Sequence, residues 1–230
     1  MSLTAWSLEP TGIRDKYAIY FNASYNARRG HLDIRNMRQD TAQEPLFLWG
    51  GGLARRYYLN RWSRLQFAFF FNVGGVDVDT LENAQIIESG AVSFHDLYYR
   101  QSYTHFALEP ELHVFLPSRR KALLYLRAGA GFNFMKMEEK GLIDLEDELF
   151  RSPVEVPDNM SGQSYSINPQ IGVGVEFAVG ERSKLTLSYL NKYMFPLAYK
   201  FSRSMPLGGV DYWESFRVHM LQIGLAWAGE

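Results

Sequence analysis

Three observations predict an all-β, eight-stranded antiparallel up-and-down transmembrane β-barrel with four long extracellular loops and three short periplasmic turns. Apolar residues recur at every second position through eight segments. The opposite faces mix charges with glycine and alanine, too polar for the core of a soluble sandwich but suited to a narrow filled lumen. Short basic turns, NRWSR, PSRRK and GERSK, recur roughly 60 residues apart, with Leu65, Leu124 and Leu185 as the first apolar positions after them.

The alternation is plain in the hairpin Leu108–Phe134. Leu108, Leu112, Val114 and Leu116 lead to the turn at Pro117–Lys121, and Leu124, Leu126, Ala128, Ala130, Phe132 and Phe134 lead away from it. Glu109, Glu111, His113, Tyr125, Arg127 and Asn133 occupy the other face. The first strand is expected over Asp15–Asn26, with Tyr17, Ile19, Phe21 and Tyr25 opposed to Tyr20, Asn22, Ser24 and Asn26. Phe47, Trp49, Gly51 and Leu53 mark the second strand. The third, RLQFAFFFNV, sets Leu65, Phe67, Phe69 and Phe71 against Arg64, Gln66, Ala68 and Phe70. The sixth sets Ile171, Val173 and Val175 against Gln170, Gly172, Gly174 and Glu176. The seventh runs from Lys184 to about Phe195, and the last sets Leu221, Ile223, Leu225 and Trp227 against Gln222, Gly224 and Ala226. Arg28–Glu44, Gly74–Phe94, Met137–Gly162 and the stretch around Pro206 lack the alternation and are expected to be the loops.

Composition bounds the function. The 230 residues carry no linker, so one barrel domain over 1–230 is expected, with 1–14 as a periplasmic segment. With 24 basic and 25 acidic residues, the charge balance offers no basis for nucleic-acid binding. No apolar run of about 18 residues is available for a helical span, and aromatic residues at 15% suit interfacial girdles. Cysteine is absent, so disulfide and thiol chemistry are excluded. Met1–Gly12 has no apolar signal core, and a secretory signal is expected to have been removed.

The expected lipid-facing residues are Leu65, Phe67, Phe69, Phe71, Leu124, Leu126, Ile171, Val173, Val175, Leu221, Ile223 and Leu225, with Trp49, Trp62, Trp213 and Trp227 at the interfaces. The expected lumen network is Arg64, Glu109, Glu111, His113, Arg127, Glu176 and Lys192, with His105 above it. A lipocalin-type soluble barrel requires the opposite sidedness, with the phenylalanines inside. No metal-ligand spacing or nucleophile elbow occurs, so no metal, cofactor or catalytic residue is assigned. Ser93, His95, Asp96, Ser215 and His219 are the available rim groups for a lipid hydrolase or acyltransferase. Arg28, Arg29, Arg35 and Arg38 suit lipopolysaccharide phosphates. The acidic run containing Glu138, Glu139, Asp144, Glu146, Asp147 and Glu148 suits Ca²⁺ or a solvated face.

The runs LWGGGLARRYYLNRWSRLQFAFFF, YTHFALEPELHVFLPSRRKALLYLRAGAGFNF and HMLQIGLAWA resemble the small outer-membrane barrels widespread in Bacteroidota. These share the architecture of OmpX and the OmpA membrane domain and include the PorT-like group. The resemblance covers most strands from Leu48 to Trp227, with Pro110 and the Gly-x-Gly of Ala128–Phe132 as its best local marks. It implies a bacterial outer-membrane location, contact with outer-membrane lipid and lipopolysaccharide, and envelope protein partners. A non-catalytic structural or interaction role is the expectation; a lipid-modifying enzyme is the alternative and a narrow porin the third.

Overall fold

The computed structural model describes residues 14–34, 37–88, 91–117, 122–144, 154–155, 160–194, 198–201 and 211–228, and the side chains of 14–28, 45–76, 100–117, 122–138, 162–194 and 216–228. The regular elements in these residues are all strands: β1 Tyr17–Ile34, β2 Met37–Tyr58, β3 Ser63–Glu88, β4 Ala91–Phe115, β5 Ala122–Asp144, β6 Val154–Glu155, β7 Met160–Ala178, β8 Ser183–Met194, β9 Ala198–Phe201 and β10 Asp211–Trp227. Each long strand pairs antiparallel with its neighbour, and two ladders complete the ring. Tyr17↔Trp227 joins β1 to β10, and Ala122↔Phe177 joins β5 to β7. The result is an eight-stranded closed barrel, with β6 and β9 as short additions on β5 and β7.

Side-chain direction follows the alternation. Leu221 is 63% exposed and its neighbour Gln222 1%. Phe67, Phe69, Phe71, Leu124, Leu126, Ile171, Val173, Ile223 and Leu225 are exposed on the outer wall, and Leu65 and Val175 are half-buried on the same face. Charges point inward and phenylalanines outward, the reverse of a lipocalin. An apolar outer wall around a polar interior is the arrangement that lipid requires, because closure leaves no unpaired backbone edge.

Aromatic girdles bound the apolar wall. Tyr17 stacks on Trp227 at the short-turn end, 6.1 Å between ring centroids. At the other end Tyr25 meets Phe47 edge-on at 5.4 Å, and Phe106, Phe134 and Tyr165 form a continuous series. Eight residues separate the Tyr17 row from the Tyr25 row, about 26 Å along a strand and about 20 Å of height at a usual barrel tilt. Trp49 is exposed on the outer face, Trp62 and Trp227 are half-buried at the short-turn end, and Trp213 lies beyond the upper girdle opposite His31. The side chain of Trp213 is outside those described.

Two expectations need correction. In their described residues, three of the four stretches read as loops continue the barrel ladders: pairing extends to Ile34↔Met37, Glu88↔Ala91 and Asp96↔Asp144. Above the membrane both faces of a hairpin meet water, so the alternation ends while backbone pairing continues. Residues 202–210 of the fourth stretch are outside the described residues. The second correction concerns the lumen, which is not polar throughout. Leu46, Leu48, Tyr103, Met135, Met137, Leu190, Met194, Phe216, Val218 and Met220 form a buried apolar cluster inside its upper end.

Lumen glycines make room for rings on adjacent strands. A Cβ on Gly52 would lie 2.2 Å from the Phe70 ring, on Gly174 2.2 Å from Tyr125, and on Gly224 2.5 Å from Tyr20. Glycine opposite a ring is how a narrow barrel accommodates bulky side chains on adjacent strands.

Candidate functional site

The lumen gathers the chemically active side chains, because every second residue of eight strands converges on one axis. At its short-turn end Asp15, just before β1, is fully buried. It accepts hydrogen bonds from Arg56 and from Tyr58 Oη at 2.6 Å, and it pairs with Lys184 at 2.9 Å. Burial raises the Asp15 carboxyl, but the charges of Arg56, Arg64 and Lys184 outweigh it and hold the group well below the usual carboxylate range. Its stabilising effect is present above the ordinary carboxylate pKa and is lost as pH falls through that depressed value. Glu176 completes this floor, 2.5 Å from Arg64 Nη2 and 3.2 Å from Arg56 Nη1.

The middle layer centres on Glu111. Arg127 Nη2 donates to both carboxylate oxygens, at 2.5 and 2.6 Å. Gln170 Nε2 adds a bond at 2.8 Å and Gln66 Nε2 one at 3.3 Å. His113 links the layers: Arg64 Nε donates to His113 Nδ1 at 3.1 Å, which leaves Nε2–H to donate to Glu111 Oε2 at 3.0 Å. That tautomer is assigned by the network. Arg127 Nη1 reaches Ser188 at 2.8 Å and also Gln222.

Above this, Lys192 pairs with Glu109 across the lumen. His105 accepts from Asn72 at 3.1 Å and donates to Asn133 at 2.7 Å. The apolar cluster closes the upper end, and there Arg28 donates to Gln101 Oε1 at 2.6 Å and lies over the Tyr103 ring. A buried charge costs several kcal/mol unless paired, so these contacts hold the barrel in one register rather than adding large net stability.

Arg64, Glu109, Glu111, His113, Arg127, Glu176 and Lys192 thus all lie inside the barrel, in one connected floor and middle layer with the Lys192–Glu109 pair above. Asp15, Arg56 and Lys184 belong to the same network and were missed. Arg56 was accessible from the alternation that begins at Phe47 and runs through Leu53. Asp15 carried no local signal, since its burial depends on three cations from other strands. Arg28 is corrected from loop to lumen. Of its companions, the side chains of Arg29 and Arg38 and the whole of Arg35 lie outside the described residues, as do the side chains of Glu139 and Asp144 and the whole of Glu146, Asp147 and Glu148.

Of the five rim groups, the described side chains include that of His219. This ring is half-buried on the outer wall, where its Nδ1 is 2.6 Å from Tyr189 Oη and Tyr25 lies alongside. Ser215 is four residues further along β10, about 13 Å away at the usual strand rise. The side chains of Ser93, His95, Asp96 and Ser215 are outside those described. No group of three or more potential metal-binding His, Asp or Glu side chains occurs among the described residues.

No protein-family model matches the sequence, and no curated protein matches it. Among solved structures the chain is similar to Ail, the attachment invasion locus protein of Yersinia pestis, with 12% identity over 93% of this chain and 99% of that chain and a TM-score of 0.40. It is also similar to the outer membrane protein OprG of Pseudomonas aeruginosa, with 9% identity over 94% and 97% of the two chains and a TM-score of 0.49. The outer membrane protease OmpT of Escherichia coli gives 9% identity over 95% and 98% and a TM-score of 0.44. The barrel assignment itself stands on the strand pairing and sidedness: the protein is a transmembrane β-barrel of the outer-membrane type.

Proposed function

We propose that the protein is a non-catalytic interaction protein anchored in the bacterial outer membrane, a rigid plugged barrel that displays its long hairpins to envelope partners and lipopolysaccharide. The observation that carries this reading is the closed lumen, with an ion-paired floor and an apolar roof, beneath ladders that continue well past the upper girdle. A rigid scaffold carrying projecting segments is suited to recognition. The PorT-like resemblance extends the reading to an envelope or secretion assembly, and the sequence offers Arg29, Arg35 and Arg38 as guanidinium groups suited to phosphate.

A filled lumen has a direct electrical consequence. In planar bilayers the protein is expected to give no steady open pore, because an eight-stranded barrel has room only for the side chains that already occupy it. Large, regular conductance steps would favour the porin reading instead.

Incubation of the purified protein with lipopolysaccharide and phospholipid, followed by mass spectrometry, distinguishes interaction from lipid modification. The expected result is unchanged lipids, with a partner recovered by crosslinking through the hairpins. Acyl transfer or release that disappears on His219→Ala would establish the enzyme reading.

A further inference from the structure

At the short-turn end, cations and aromatic rings alternate along one arc of the outer wall. Backbone bonds join its members strand by strand. Ala228 N–H donates to the Arg182 carbonyl at 3.1 Å, Lys16 N–H to the Trp227 carbonyl at 2.9 Å, and Arg56 N–H to the Lys16 carbonyl at 2.8 Å. Tyr17 and Arg55 are paired in register. Lys16, Arg55, Arg61 and Arg182 are all exposed. The Arg55 guanidinium, opposite the Tyr17 that stacks on Trp227, lies 5.1 Å over the Tyr57 ring, and in the following turn that of Arg61 lies 5.3 Å over Trp62.

Negative charge at this arc is scarce among the described residues. Glu181 is exposed there, while Asp15 is turned inward and held by the lumen cations. The opposite girdle differs, since Lys136 is matched by Glu138 at 2.5 Å.

We propose that this arc is a binding site for the headgroup phosphates of anionic glycerophospholipid in the leaflet at the short-turn end; the inference rests on the membrane placement above. The rings fix the depth of the wall at the headgroup level. Long cationic side chains beside them extend into that layer, where guanidinium engages phosphate with two parallel bonds. A net positive arc favours lipids whose headgroup lacks its own ammonium, because no second cation competes for the phosphate.

The test uses the full chain in mild detergent with equimolar phosphatidylglycerol and phosphatidylcholine of matched acyl chains, and native mass spectrometry of the lipids retained. The protein is expected to retain the anionic lipid over the zwitterionic one by at least about fivefold, given the attraction of each cation for an anionic surface. The variant K16Q/R55Q/R61Q/R182Q is expected to bring the ratio to about unity, whereas K136Q/R217Q at the other girdle leaves it unchanged. Should the fourfold variant fail to fold, R55Q/R61Q together with the salt dependence of the unmodified protein replaces it; about 0.5 M salt should cut the preference sharply. Equal retention of the two lipids by the unmodified protein overturns the proposal. So does complete loss of the preference to inorganic phosphate but not to chloride at the same ionic strength, which would assign the arc to phosphate alone. Failure to insert into vesicles of either composition would instead count against the membrane placement.

Discussion

Glu111→Ala is expected to destabilise the barrel by about 3–5 kcal/mol, the usual cost of leaving one partner of a buried ion pair uncompensated. Glu111 accepts from Arg127, Gln170, Gln66 and His113, so its removal orphans a guanidinium that is 1% exposed and three further donors. Reversible unfolding by urea in lipid vesicles provides the measurement. A loss below about 1 kcal/mol would mean that water already screens this layer and that the lumen is wetter than its burial implies. The companion variant E111L/R127M removes both charges at similar volume. It should recover most of the loss, because buried pairs replaced by apolar residues are often neutral or better.

Phe69→Arg is expected to cost about 2–4 kcal/mol, the range for a cation placed on the lipid face near the bilayer midplane. Phe69 is 51% exposed on the outer wall and pairs with Leu53 and Leu108, midway between the two girdles. The same substitution at Lys16, just outside the short-turn girdle, exchanges one cation for another and should be close to neutral. Equal stability of the Phe69→Arg variant and the parent protein in vesicles would sink the assignment of this face to lipid. Both measurements use one unfolding assay, so an error in the membrane placement and an error in the lumen assignment give different results.

Barrel strands report their sidedness locally, and much of this fold was accordingly legible. In RLQFAFFFNV the alternation of Arg64, Gln66 and Ala68 with Leu65, Phe67 and Phe69 needs no partner to be read, since a period of two puts each set on one face. The hairpin ladders were not legible for the same reason. Past the upper girdle both faces meet water, and Arg29–Ile34 and Met37–Gln43 read as loop although their backbone is paired. Arg28 was misplaced because it opens the basic, polar run Arg28, Arg29, Gly30, His31, while its own burial comes from Gln101 and Tyr103 on a strand across the lumen.

The sequence by itself determined eight alternating segments, which residues of each share a face, and the three tight basic turns. These are properties of short spans, set by the strand period and by turn composition. Only closure of the barrel decided which inward groups meet. Lys192 reaches Glu109 and Arg56 reaches Asp15 because strand tilt and stagger bring distant rows to one level of the axis. Closure also gathered Met135, Met137, Met194 and Met220 from three strands into one apolar roof. A periodic pattern states direction, in or out, but carries no record of height around a ring. Height is fixed by the register of every ladder at once, so the network and its roof exist only in the assembled barrel.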